Sequence, residues 1–199
     1  MIAETPLCKL AQKYGTDKSP WISETSWGHS YTPTYYEKFK DIRYSVEKVL
    51  EIGVGAGVSM PRKVYKLPHY IMGASLYMWR DFFPEAMIYG IDILPECIFE
   101  SHRIQTFFCD QSNKSDLKKL IKKIGSDIDI VIDDGSHLPA HQVYTCLTLK
   151  PLLKKDVIYV IEDVKDLGIV DKIKAKGYEV EYTRFRHKHG WNDRLLFIK

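Results

Sequence analysis

Asp129-Ile130-Val131-Ile132-Asp133-Asp134-Gly135-Ser136-His137 is an apolar run of strand length that ends in two carboxylates, two small residues and an imidazole. So short a run fits a parallel strand buried on both faces. In open α/β sheets, ligands bind just beyond the carboxyl ends of such strands. Val157-Ile158-Tyr159-Val160-Ile161 repeats the pattern and runs into Glu162-Asp163. As neighbouring parallel strands, the two runs would bring Asp134, Glu162 and Asp163 together beside His137. Two like charges about 4 Å apart repel by about 4 kcal/mol at an effective dielectric near 20. Such a cluster therefore calls for protonation or a cation. Oxygen donors with no cysteine nearby favour Mg²⁺, Mn²⁺ or Ca²⁺ over zinc. A lone carboxylate at a strand end is explained by capping of the next helix; three together are read as a metal site.

Upstream, Glu47-Lys48-Val49-Leu50-Glu51-Ile52-Gly53 is a strand that leads into Val54-Gly55-Ala56-Gly57. Glycines there permit a tight turn and close approach of a ligand to the backbone. Met87 to Asp92 forms the second strand, and its terminal Asp92 suits a ribose hydroxyl. Ile104 to Cys109 forms the third and leads into Asp110-Gln111-Ser112. Residues 58–72, with Pro61, Pro68, Lys63, Lys66 and His69, read as an inserted loop at the rim of the site. A helix follows from about Gly73 to Phe83.

Residues 1–46 are polar and aromatic and read as a helical lid packed on the sheet edge or, equally, as a segment whose Tyr-, His-, Lys- and Asp-rich loop folds over a ligand. A short helix stops near Gly15, Lys13 to Lys18 has turn chemistry, and a helix opens near Pro33 with Thr32 as its cap. That helix turns Tyr35, Tyr36 and Phe39 inward. Downstream of the third strand, Ser115 is read as the cap of a basic helix over Asp116 to Ile124. Pro139 opens a helix carrying Val143, Leu147, Leu149 and Leu152. Another helix runs from about Val164 to Lys176 and stops at Gly177. Tyr178 to Tyr182 and Leu195 to Ile198 are strands, joined by the basic stretch Arg184 to Arg194, the one candidate anion-binding patch. Seven strands interleaved with helices give an α/β, three-layer sandwich, read as one unit over 1–199.

Composition narrows the function classes. The 199 residues carry a mild net charge of +3, which does not argue for a nucleic-acid protein, whose basic residues should be abundant and clustered. The four cysteines, Cys8, Cys97, Cys109 and Cys146, lack disulfide or zinc spacing, as expected of reduced thiols in a cytoplasmic protein. No signal peptide or membrane-length apolar run is found, so no membrane partner is expected.

The Val49 to Gly57 segment resembles motif I of class I S-adenosylmethionine-dependent methyltransferases. Lys13-Tyr14-Gly15-Thr16-Asp17-Lys18, Trp79-Arg80-Asp81-Phe82-Phe83-Pro84, Tyr89-Gly90-Ile91-Asp92, Cys109 to Ser112, Ile132 to His137 and Ile161-Glu162-Asp163 are similar to the metal-dependent macrolide-sugar O-methyltransferases and cephalosporin-hydroxylase-like relatives. The resemblance implies a Rossmann-like, mostly parallel sheet whose last strand is antiparallel. It places S-adenosyl-L-methionine over the first three strand ends: Glu51, Gly53 and Gly55 at the methionine part, Asp92 at the ribose and Asp110 at the adenine. Gly57, Gln111, Asp133, Thr16 and Asp17 fall in the matching motifs and join the cofactor side. It further implies Mg²⁺ (or Mn²⁺) held by Asp134, Glu162 and Asp163, with Asp134 and His137 catalytic and His137 the general base. His141 is a second candidate base.

The expected reaction is transfer of a methyl group to a hydroxyl of a small molecule, a sugar or glycosylated natural product. A metal-dependent hydroxylase-like enzyme on the same fold and a nucleic-acid methyltransferase stand as alternatives. Self-association is left open.

Overall fold

The computed structural model describes residues 4–20, 28–55, 71–186 and 192–199. Gly57, positions 58–70 of the inserted loop, and His187 and Lys188 of the basic stretch lie outside the described residues.

Among the described residues the chain forms six α-helices, α1 (Pro6–Tyr14), α2 (Tyr31–Phe39), α3 (Ala74–Phe82), α4 (Lys114–Ile124), α5 (Pro139–Leu149) and α6 (Gly168–Lys174). The strands are β1 (Lys48–Ile52), β2 (Met87–Asp92), β3 (Glu100–Ser101), β4 (Ile104–Phe108), β5 (Ile130–Asp133), β6 (Ile158–Ile161), β7 (Val180–Arg186) and β8 (Asn192–Ile198). They form one sheet in the order β3-β4-β2-β1-β5-β6-β8-β7. β4, β2, β1, β5 and β6 run parallel, and β8 lies antiparallel to both β6 and β7. The parallel strands and the antiparallel closure are as expected. The eighth strand is β3, two residues paired back on β4 through a turn at Arg103; it is too short to carry a periodic signal.

Side-chain alternation along the strands feeds two cores. Ile130 and Ile132 of β5 pack with α1, α2 and α3, around Leu7, Tyr35, Phe39 and Trp79. Val131, between them, packs with Leu117, Cys146, Leu149 and Ile173 on the other face. Burial on both faces explains why these strands read as continuous apolar runs. All four cysteines are buried and free. No helix among the described residues is long and apolar enough to cross a membrane.

Local chemistry sets the helix ends. Thr5 Oγ1 accepts the Cys8 amide at 3.2 Å, Pro6 occupies the first turn of α1, and Gly15 ends it in a left-handed cap. α2 starts at Tyr31, two residues before Pro33, and Thr32 is buried inside it. Asn113, not Ser115, caps α4: its side chain accepts the amides of Ser115 and Asp116. α6 is shorter than expected, because residues 164–167 form the loop beyond Asp163.

Candidate active site

Register brings the strand ends together. Asp133 lies opposite Ile52 on one side and Ile161 on the other, so Asp134 and Glu162 emerge side by side from β5 and β6. The peptide beyond β5 also packs on the glycine turn after β1. A Cβ at Gly53 (φ 91°) would sit 2.2 Å from the carbonyl oxygen of Asp134, so only glycine fits. Above this edge is a cavity of about 390 Å³.

One half of that cavity is built by carboxylates that grip backbone amides. Asp92 Oδ2 accepts the amides of Val54 (2.9 Å) and Gly55 (3.3 Å), while its Oδ1 accepts that of Leu94 (3.0 Å). Asp110 Oδ1 accepts both the amide and the hydroxyl of Ser112, at 2.8 and 2.7 Å. Gly53, Gly55, Asp92, Asp110 and Gln111 all line the cavity, as do Thr16 and Asp17 from the N-terminal segment.

Two residues expected on the cofactor side lie beneath the lining. Glu51 is fully buried, and burial pushes its carboxyl up to about 7. Asp133 is buried too, accepting Gln111 Nε2 and Tyr159 Oη, each at 3.2 Å. Gln111 does more than line the wall: its Oε1 accepts the Ser136 amide at 2.7 Å, tying the β4 loop to the β5 loop.

The other half is ionic. Lys18 is buried, with its Nζ 2.5 Å from Asp134 Oδ2, 2.7 Å from Glu162 Oε2 and 3.4 Å from Glu51 Oε1. Asp134 and Glu162 thus turn their carboxylates toward the same point. Glu162 Oε1 accepts the Tyr35 hydroxyl at 2.7 Å, and Asp163 Oδ1 accepts that of Tyr31 at 2.6 Å. His137 Nε2 is 3.0 Å from Asp134 Oδ1, and its Nδ1 is 3.4 Å from Asp163 Oδ2. His29, stacked on Tyr31, is 3.6 Å from Asp163. His141 lines the cavity but pairs with Ser136 Oγ at 3.0 Å.

Electrostatics follow from this placement. Burial disfavours the ionised form of Asp134, but Lys18 and His137 outweigh it and hold the carboxyl well below the usual range. Glu162 moves upward, through burial and then repulsion from Asp134. Burial opposes a charged His137, yet Asp134 and Asp163 prevail and push it up to about 9. His137 (φ 55°) and Asp163 (φ 52°) are also two of the three non-glycine residues with left-handed backbone among the described residues. Such strain, of order 1–3 kcal/mol each, gathers at functional sites.

Asp134, His137 and Asp163 each offer a ligand atom, all within 4.8 Å of one another. The metal trio expected from sequence is Asp134, Glu162 and Asp163; the ligand atoms that converge here are differently grouped. His137 joins Asp134 and Asp163, while Glu162 is held by Lys18 and Tyr35. Oxygen and imidazole donors in an acid-rich cluster suit a divalent cation. Lys18, Tyr31, Tyr35 and His29 are the residues that sequence reasoning left without a role. The signals for them are the Lys13 to Lys18 motif and the aromatic, His-containing character of the segment from Trp27 to Tyr36.

The fold is the Rossmann-like fold of methyltransferases. MycE methyltransferase from the mycinamycin biosynthetic pathway, solved in complex with Mg and SAH, matches all of this chain and 55% of its own, with a TM-score of 0.75 and 30% identity. An O-methyltransferase from Bacillus cereus, solved with SAH, shares the fold alone, at TM-score 0.60 and 10% identity. In sequence the chain is similar to a mycinamicin VI 2''-O-methyltransferase of Micromonospora griseorubida, 38% identical over 158 residues, covering 79% of this chain and 36% of that protein. It is also 39% identical over 160 residues to an 8-demethyl-8-alpha-L-rhamnosyl tetracenomycin-C 2'-O-methyltransferase of Streptomyces olivaceus, covering 80% of this chain and 38% of the relative. The chain thus spans less than two-fifths of the curated relatives it matches. No protein-family model matches it.

Proposed function

We propose that the chain carries an S-adenosylmethionine-dependent, divalent-metal-dependent O-methyltransferase activity toward a hydroxyl of a glycosylated small molecule. One observation supports it above the others: the glycine and aspartate half and the acid and histidine half open into a single cavity. The likeness to sugar O-methyltransferases supplies the acceptor class.

When bound, the sulfonium cofactor supplies the methyl group and the cation acidifies the acceptor hydroxyl. Asp134 and Asp163 would hold the cation, with Glu162 completing the set. Asp92 and Asp110 offer carboxylates to the ribose and adenine of the cofactor. His137 is the proton acceptor of the reaction. The two carboxylates that face its imidazole favour the protonated form, and that influence falls once they share their charge with a cation. Proton transfer of this kind contributes about 10²–10⁴-fold. Tyr31 and Tyr35 orient Asp163 and Glu162, and the walls exclude water from the methyl group.

The test pairs binding with turnover. Calorimetry should show S-adenosylhomocysteine binding, and mass spectrometry should show a methylated glycosylated macrolide only when Mg²⁺ or Mn²⁺ is present. His137→Ala should cut that turnover at least about 100-fold with unchanged S-adenosylhomocysteine affinity. Full turnover in a chelator would refute the metal role, and an undiminished rate would refute the base.

A further inference from the structure

Lys18 is a buried cation inside the acidic cluster. Its stem is enclosed, and its main-chain carbonyl accepts the amides of Tyr31 (3.1 Å) and Thr32 (3.0 Å), which anchors the residue at the start of α2. Its ammonium lies 2.5 Å from Asp134 Oδ2, and the other oxygen of that carboxylate faces His137. Asp134 is thus shared between a resident cation on one side and the cluster of converging ligand atoms on the other. Glu162 is likewise divided between Lys18 and Tyr35. Glu51 stands behind Lys18, its Oε1 3.4 Å from the ammonium.

We propose that Lys18 is a built-in competitor for the divalent cation, holding one oxygen each of Asp134 and Glu162 so that the chain binds the ion less tightly than its carboxylates alone would. This rests on the function proposed above, in which Asp134 and Asp163 hold that ion. A positive charge fixed one carboxylate away from a dication repels it, and the effect is strong where water is excluded. The same charge offsets the acids when no metal is present. Glu51 in its ionised form opposes the competition, because its negative charge then offsets part of that of Lys18. A lysine that merely filled space would have no such influence on ion affinity.

The probe is Mn²⁺ alone, titrated into the purified full chain, with free ion read by electron paramagnetic resonance. Lys18→Met keeps the stem and removes the charge. It should tighten Mn²⁺ binding about tenfold or more and lower the melting temperature of the metal-free protein. An unchanged or weaker affinity overturns the proposal. If Lys18→Met does not fold, Glu51→Gln carries the test: it leaves Lys18 less compensated and should weaken Mn²⁺ binding several-fold. There, unchanged or tighter binding overturns it. Wild-type binding with variants no different overturns the competitor alone. No Mn²⁺ binding by wild type or variant overturns the cation site with it, and S-adenosylhomocysteine calorimetry on the same samples reports separately on the cofactor half.

Discussion

The two halves of the cavity are built by opposite means. At the ends of β1, β2 and β4, carboxylates bind the backbone of their own or adjacent turns: Asp92 holds Val54, Gly55 and Leu94, and Asp110 holds Ser112. At the ends of β5 and β6, side chains are held by charged and hydroxyl groups brought from far along the chain. Lys18 reaches Asp134 across 116 residues and Glu162 across 144, while Tyr31 reaches Asp163 across 132. The first half joins neighbouring strand ends through backbone amides; in the second, the contacts of Lys18 and Tyr31 form only once the N-terminal segment has docked, while the His137–Asp134 pair is local. That difference separates what can be mutated in isolation from what cannot.

Asp134→Ala should produce the largest effect and bear only on the second half. Mn²⁺ binding and methyl transfer should vanish, while S-adenosylhomocysteine affinity stays within about twofold, since the amide-gripping turns remain intact. A parallel collapse of cofactor binding would show that the halves are not separable. Asp92→Asn should do the reverse on a smaller scale. Weakening both its hold on the glycine turn and its proposed hydrogen bonds to ribose should cost about 1–2 kcal/mol, or about tenfold in S-adenosylhomocysteine affinity by calorimetry. Mn²⁺ affinity should not change, and a matching loss there would again join the halves.

The smallest expected effect lies at the seam, in Asp133. Burial lifts its carboxyl up to about 7, well above the ordinary range of an aspartate. Folding therefore takes up a proton over that window, and this carboxylate costs stability increasingly as pH rises toward and through 7. Asp133→Asn removes the titration and keeps an acceptor for Gln111. The gain in melting temperature should grow by a few degrees as pH rises from about 5 to about 8. A variant that melts lower at the upper end would mean that the bonds from Gln111 and Tyr159 outweigh the burial cost.

The same contrast explains what could be read in advance. β1, β2, β5 and β6 are short apolar runs ending in acids or glycines, so their residues announce both the strand and the edge where ligands gather. Asp134, Glu162 and His137 follow from that edge. Lys18 does not, because one lysine in a turn-like hexapeptide looks like any solvated lysine; only the folded chain shows it enclosed. Tyr35 reads as an apolar inner face, yet its hydroxyl, not only its ring, is what Glu162 uses. β3 and the cap at Asn113 fall below the resolution of periodic patterns, since two residues carry no period and several neighbouring polar residues make equally good caps.

Left-handed backbone at His137 and Asp163 has a further consequence. At both positions glycine or asparagine would sit more comfortably than the residue present. A screen for heat tolerance, blind to chemistry, would favour those replacements and discard the imidazole and the carboxylate. Evolution toward robustness and evolution toward turnover therefore pull in opposite directions at these two positions. Thermostabilised variants should be checked there first for silent loss of purpose.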